Sequence, residues 1–173
     1  MSVCINYSGV SYSDESSLKL FHFEGGVWVD RTTSLDTTLD IICADVASLS
    51  PFVVLEQAVA IGIDIEPGSP QNTVSSKSNG LVPAAILSNG VFDAGAVVQS
   101  SLRFGRLGTE ESLWFCNPSL RDVNSDGYKD LLCYFGTHAA DFNSDSTQGI
   151  LQGLTQGGIP FTGSDSVRIV PGR

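Results

Sequence analysis

Positive charge is scarce in this chain. Nine lysines and arginines stand against nineteen aspartates and glutamates in 173 residues, a formal net charge of −10. Nucleic-acid binding needs a basic face, and an anionic membrane surface attracts one, so neither partner is expected. Long apolar runs are missing too. The best candidates, Pro51–Leu55 and Ala58–Ile63, are separated by Glu56-Gln57, well short of the ~18 apolar residues that span a bilayer. No long stretch has apolar residues at three-and-four spacing, which excludes a helical architecture. Only two histidines occur and no Cys-x-x-Cys, so a structural zinc site is not expected.

Catalytic signatures are equally thin. Gly-x-Ser-x-Gly and phosphate-cradling glycine loops are absent, and His22 and His138 belong to no paired motif. His22 is expected on the surface or half-buried in a hairpin strand, His138 in a loop. A glycosidase needs two carboxylates across a cleft, and no local pattern singles out such a pair. The chain is therefore read as a non-enzyme. The N-terminal Met-Ser-Val-Cys-Ile has no basic region followed by an apolar stretch, so the expectation is a cytosolic chain or a piece of a longer exported precursor.

What is present is β text. Short runs rich in branched and aromatic residues recur between Gly, Asn, Ser, Thr and Asp clusters. Strands are expected at 3–7, 18–23, 27–31, 39–46 and 51–55, then at 60–65, 81–87, 97–104, 112–116, 131–135, 150–154 and 166–170. Glu24-Gly-Gly26 should turn a hairpin between the second and third, because two glycines admit the positive φ angles of a tight reversal. No repeat period suggests a propeller or solenoid. The fold class expected is all-β: two small antiparallel β-sandwich modules in tandem, over residues 1–57 and 58–173. The first is small enough to read as the closing half of a sandwich. Its opening strands would lie upstream or come from a neighbouring copy by strand addition.

The most specific text is Asp122-Val-Asn-Ser-Asp-Gly-Tyr-Lys-Asp130. Oxygen donors occupy its first, third, fifth and ninth positions, with a glycine sixth. Calcium takes six to eight oxygens at ~2.3–2.6 Å, and alternate residues of a tight loop can aim at one point. Asp122, Asn124, Asp126 and Asp130 would supply side chains, Tyr128 its carbonyl, and Gly127 the positive φ. A solvated acidic turn is the bland alternative. A helix–loop–helix calcium hand needs an acid at position twelve, which is Cys133 here. Asp141-Phe-Asn143-Ser-Asp145 is a second run of alternating donors, without the glycine or the ninth acid; it is read as a weaker second metal loop or a solvated one.

Four cysteines allow three pairings. Cys116 and Cys133 lie on the strands flanking the loop, and Cys4 and Cys43 in strand text of the first segment. Bridges 4–43 and 116–133 are expected, and with them an oxidising compartment; four buried free thiols would be the cytosolic alternative. Asn6-Tyr-Ser8 fits a glycosylation acceptor at chance level. Trp28, Trp114 and the tyrosines could line a sugar-binding face, although Trp114 beside Phe115 and Cys116 reads as core and Trp28 as the exposed side of its hairpin.

The strand–loop–strand setting of Asp122–Asp130 resembles the calcium loops of integrin-type β-propeller repeats and related bacterial surface proteins. Leu18–Asp30, Thr32-Thr-Ser34, Ile42-Cys43 and Ser48–Phe52 resemble the end of a β-sandwich module common in large exported bacterial proteins. Ile63–Ser69, Val82–Leu87, Ser101–Gly105, Asp122–Leu131 and Ser164–Arg168 resemble a module that often follows it near the C-terminus. The text His138–Thr147 departs from that pattern. The resemblance implies a secreted or cell-surface setting and bound calcium, but no known reaction. Two functions are expected from it and from the loop. One is an extracellular calcium-stabilised structural or adhesive module, assembling into filaments by strand addition, with other copies or cell-surface components as partners. The other is a carbohydrate-binding accessory module of a secreted hydrolase, with a polysaccharide partner.

Overall fold

The computed structural model describes residues 1–76 and 78–171. The protein is all-β and divides into two compact units, Met1–Ala58 and Val59–Arg173. No helix among the described residues is long and apolar enough to cross a membrane.

The first unit contains β1 (Ser2–Asn6), β2 (Leu18–Glu24), β3 (Val27–Asp30), β4 (Thr32–Asp36), β5 (Ile41–Asp45) and β6 (Phe52–Glu56). They form two three-stranded sheets, ordered β1-β5-β4 and β3-β2-β6. Period-two alternation puts Leu18, Leu20 and His22 of β2 on the buried face. There they meet a core of Tyr7, Ile42, Ala44 and Val46. The β2–β3 reversal is the expected two-glycine turn, with Gly25 at φ 57° and Gly26 at φ 93°. Strand β4 carries no β-branched aliphatic residue and was not expected. It pairs with β5 through Leu35 opposite Ile42 and has a bulge between Thr32 and Ser34.

The second unit contains β7 (Val59–Ala60), β8 (Ile63–Ile65), β9 (Thr73–Ser76), β10 (Leu81–Ile86), β11 (Arg103–Gly105), β12 (Leu113–Cys116), β13 (Leu131–Gly136), β14 (Gln148–Leu154), β15 (Pro160–Ser166) and β16 (Arg168–Pro171). Two four-stranded sheets, β12-β13-β10-β8 and β11-β14-β15-β7, enclose one core, and β16 pairs with β9 in a small third sheet. Most pairings are antiparallel as expected, but β7 with β15 and β9 with β16 run parallel.

Two expected strands break. The run 60–65 divides between sheets: Ile61 donates its amide to Thr162 of β15, whereas the Gly62 carbonyl accepts from Leu87 beyond β10. The run 97–104 is broken by the 3-10 turn Gln99–Ser101, and another such turn, Ala94–Ala96, precedes it. The Asp93 side chain caps the preceding turn by accepting from the Gly95 amide at 2.8 Å; within the run Val97 makes an isolated bridge to Thr155, and the ladder proper begins at Arg103. Strands β9 and β15, rich in Ser, Thr and Gly, were not expected either.

Both disulfides form as expected, each between residues paired across adjacent strands. Cys4 faces Cys43 on β1 and β5, and Cys116 faces Cys133 on β12 and β13. No described cysteine is free. In the chain-entropy account, loops of 39 and 17 residues correspond to roughly 3–4 kcal/mol of stabilisation each. That is a large fraction of a typical domain's stability, and it points to an oxidising environment.

Phe104 sits at the centre of the second unit, fully buried, its ring 4.5 Å from Phe135 and 5.8 Å from Phe142. Phe104→Ala should therefore lower stability by about 3–5 kcal/mol, read as an earlier midpoint in urea unfolding followed by tryptophan fluorescence.

Candidate metal loop and neighbouring polar sites

Loop 121–130 is closed at its base by a two-bond bridge. Arg121 N–H donates to the Asp130 carbonyl at 3.0 Å, and Asp130 N–H to the Arg121 carbonyl at 2.7 Å. Inside the loop, side-chain oxygens hold backbone amides. Asp122 accepts from Asp126 N–H at 3.1 Å and from Gly127 N–H at 3.0 Å. Asn124 Oδ1 accepts from Asp126 N–H at 3.2 Å, and Asp126 Oδ1 from Tyr128 N–H at 2.9 Å. These bonds draw the chain into a tight coil, with Gly127 at φ 93° as the sixth position requires and Ser125 also positive at φ 64°.

Asp130 differs from the others. It is fully buried, and its two oxygens accept from Val123 N–H at 2.8 Å and from Ser88 N–H at 2.9 Å. Ser88 extends the tie: its hydroxyl donates to the Lys129 carbonyl at 2.6 Å and accepts from Ala94 N–H at 2.9 Å. One buried carboxylate thus joins the loop to the segment after β10.

The donor set suits a hard cation in kind, since every side chain offered is an oxygen ligand. None of Asp122, Asp126 and Asp130 makes an ion pair among the described residues. The three carboxylates do not, however, draw together on one point. Among the described residues no three His, Cys, Asp or Glu side chains form such a group. Asn124 Nδ2 donates to Asp126 Oδ2 at 2.9 Å, and each Asp130 oxygen accepts one amide, which leaves it a further lone pair. Calcium coordination would therefore require Asn124 and Asp126 to release each other.

The other acidic run is arranged differently. Asp141 receives the Arg106 guanidinium at 2.9 Å, while Asn143 Oδ1 accepts from Asp145 N–H at 3.0 Å and from the Ser146 hydroxyl at 3.2 Å. The text 138–147 is anchored by Ala140 and Phe142, both buried in the core.

His22 is the main surprise. It is 1% exposed and lies against Phe52, with ring centroids 4.6 Å apart. Its Nε2 is 2.6 Å from the Ser50 hydroxyl and accepts from Ser50 N–H at 3.2 Å. With Nε2 so engaged, the ring donates from Nδ1 to Glu24 Oε1 at 2.8 Å. Period-two alternation with Leu18 and Leu20 was the signal for burial; Ser50, 28 residues away, could not be paired with it from spacing. Ser50–His22–Glu24 repeats the connectivity of a nucleophile, base and orienting acid. Here the base is sealed from solvent, and the Ser50 hydroxyl is also held at 2.6 Å by the Phe23 carbonyl. The series clamps the β5–β6 loop onto the hairpin.

Trp28 is 48% exposed and tilts against Phe23, on the outer side of its hairpin as expected. Trp114 is not core: it is 73% exposed. Leu113 pairs with Phe135 and Phe115 with Tyr134, which leaves Trp114 as the extra residue of a bulge, turned off the pleat.

Two stability changes follow. Asp130→Ala, measured in chelator to exclude any metal contribution, should cost on the order of 3 kcal/mol in urea unfolding because two amides lose their acceptor; Asp130→Asn should cost less. For Glu24, hydrogen bonds from Arg31 and then His22 hold the carboxyl down, from 4.5 to about 2. A depressed carboxyl stabilises the fold above its unfolded pKa, and that contribution is lost as pH falls from about 4.5 towards 2. Glu24→Gln should lower the melting temperature at neutral pH and flatten that acid limb in melts across the range.

Comparison with known proteins gives no family. No family model matches the chain, and no curated protein matches it.

Proposed function

We propose that this chain is a non-enzymatic, secreted or cell-surface structural and adhesive module of an exported protein, stabilised by calcium at Asp122–Asp130. The reading rests chiefly on one observation. A nine-residue loop carries four oxygen-bearing side chains at alternating and closing positions, with Gly127 at φ 93°, on a hairpin pinned by Cys116–Cys133. Asp122, Asn124, Asp126 and Asp130 would hold the ion with the Tyr128 carbonyl. The ion would supply charge neutralisation and cross-linking of the loop.

Three carboxylates gathered to ~5 Å of one another would repel, each like pair costing at most about 3 kcal/mol at an effective dielectric of ~20. A divalent cation reverses that sign. The loop's attachment through Ser88 would carry the gain into the sheet. Partners would be other copies or cell-surface components. The regular edge strands β1, β3 and β6 of the first unit offer unbulged edges for strand addition. Carbohydrate binding is the second reading, favoured by the exposure of Trp114.

Calcium at ~100 times its dissociation constant adds about 2.7 kcal/mol. The melting temperature should therefore rise by roughly 5–10 °C over that in chelator, and Asp126→Ala should abolish the rise. Identical melting of the wild type in calcium and in chelator would defeat the proposal.

A further inference from the structure

We infer that the groove between Trp114 and His138 binds an unbranched neutral glycan, which gives the adhesive module a ligand class. The inference rests on the carbohydrate-binding reading, to which it adds a site and a ligand class, and does not depend on calcium at Asp122–Asp130.

The groove is a cavity of about 660 Å³ on the second unit, whose lining includes Asn79, Leu81, Leu113, Trp114, Thr137 and His138. A second cavity of about 500 Å³ shares Thr137 and His138 and continues past Ser76, Phe142, Asn143 and Ser144. Each lies in the ~300–1,000 Å³ range of small-molecule sites. Because Thr137 and His138 line both, the two lie side by side, which suits a linear ligand longer than one ring.

The chemistry is that of a pyranose. A sugar ring presents one apolar C–H face, matched by a flat aromatic surface, and a rim of hydroxyls that need donors and acceptors. Trp114 is the most exposed aromatic side chain of the described residues, at 73%, and a stacked ring would bury it at little conformational cost. His138 and Asn79 are exposed, with imidazole and carboxamide groups able both to donate and to accept.

Two observations narrow the occupant. A peptide adding as a strand would use the free edge of β12, but the bulge between Leu113 and Phe115 interrupts that ladder at Trp114 itself. An acidic polymer would meet a chain of net charge −10. Neither obstacle applies to a neutral sugar chain.

The test is affinity electrophoresis of the full chain, in calcium, through gels containing hydroxyethylcellulose, β-mannan, amylose or polygalacturonate. Binding is then measured by fluorescence titration in Trp28→Phe, which leaves Trp114 as the sole tryptophan. At least one neutral polymer should retard the protein, with a fluorescence change in Trp28→Phe. Trp114→Ala should weaken binding at least about tenfold and His138→Ala less. Both variants should keep the wild-type melting temperature, because both side chains are exposed. No retardation by any neutral polymer, retardation by polygalacturonate alone, or retardation unchanged in Trp114→Ala would each overturn the inference. Failure of the calcium reading would show instead as a melting temperature indifferent to chelator.

Discussion

The second unit depends on how closely its two sheets approach, and glycine sets that distance. The inward residues of β14 are Gly149, Leu151 and Gly153. A Cβ on Gly149 would stand 2.6 Å from Ile65 Cδ1, and one on Gly163 of β15 would stand 2.8 Å from Ile63 Cγ2, both on β8 of the facing sheet; within its own sheet, Gly153 leaves room for the Phe161 ring. Leaving those positions empty lets bulky side chains from the other elements fill the space, so that Phe104, Phe135, Phe142 and Phe161 are buried together. The aromatic volume and the missing side chains are two halves of one packing solution.

Onto that core the polar sites are attached by buried acceptors. Asp130 joins the acidic loop to Ser88, and Ser88 joins it to the 3-10 turn at Ala94. His22 performs the same task in the first unit, linking Ser50 to Glu24 and so to Arg31. Loops rich in polar residues have few apolar contacts to hold them. In both units a charged or titratable group with satisfied partners substitutes for hydrophobic burial. Both chains of bonds end on a residue that local spacing could not have paired.

The oxygen pattern of Asp122–Asp130 and its glycine were legible because loop chemistry is local: the next few amides are all that the side chains need. The bridges 4–43 and 116–133 were legible because strand text placed each pair on candidate neighbours. Trp114 was misread because its fate turned on a single extra residue in β12, and a bulge leaves no mark in composition. The run 60–65 was misread for a related reason: its uninterrupted apolar text fits a strand in either sheet, and it serves both.

By itself, the sequence determined the all-β class, the hairpin at Gly25-Gly26, the two disulfides and the glycine turn of the acidic loop. These rest on period-two alternation, turn conformations and reach along a few residues, all short-range properties. Only the tertiary structure decided that His22 is buried against Ser50, that Asp130 serves Ser88, and that Trp114 stands out over a groove. Each depends on which strands become neighbours across the sheets, and that choice is made by packing the whole core.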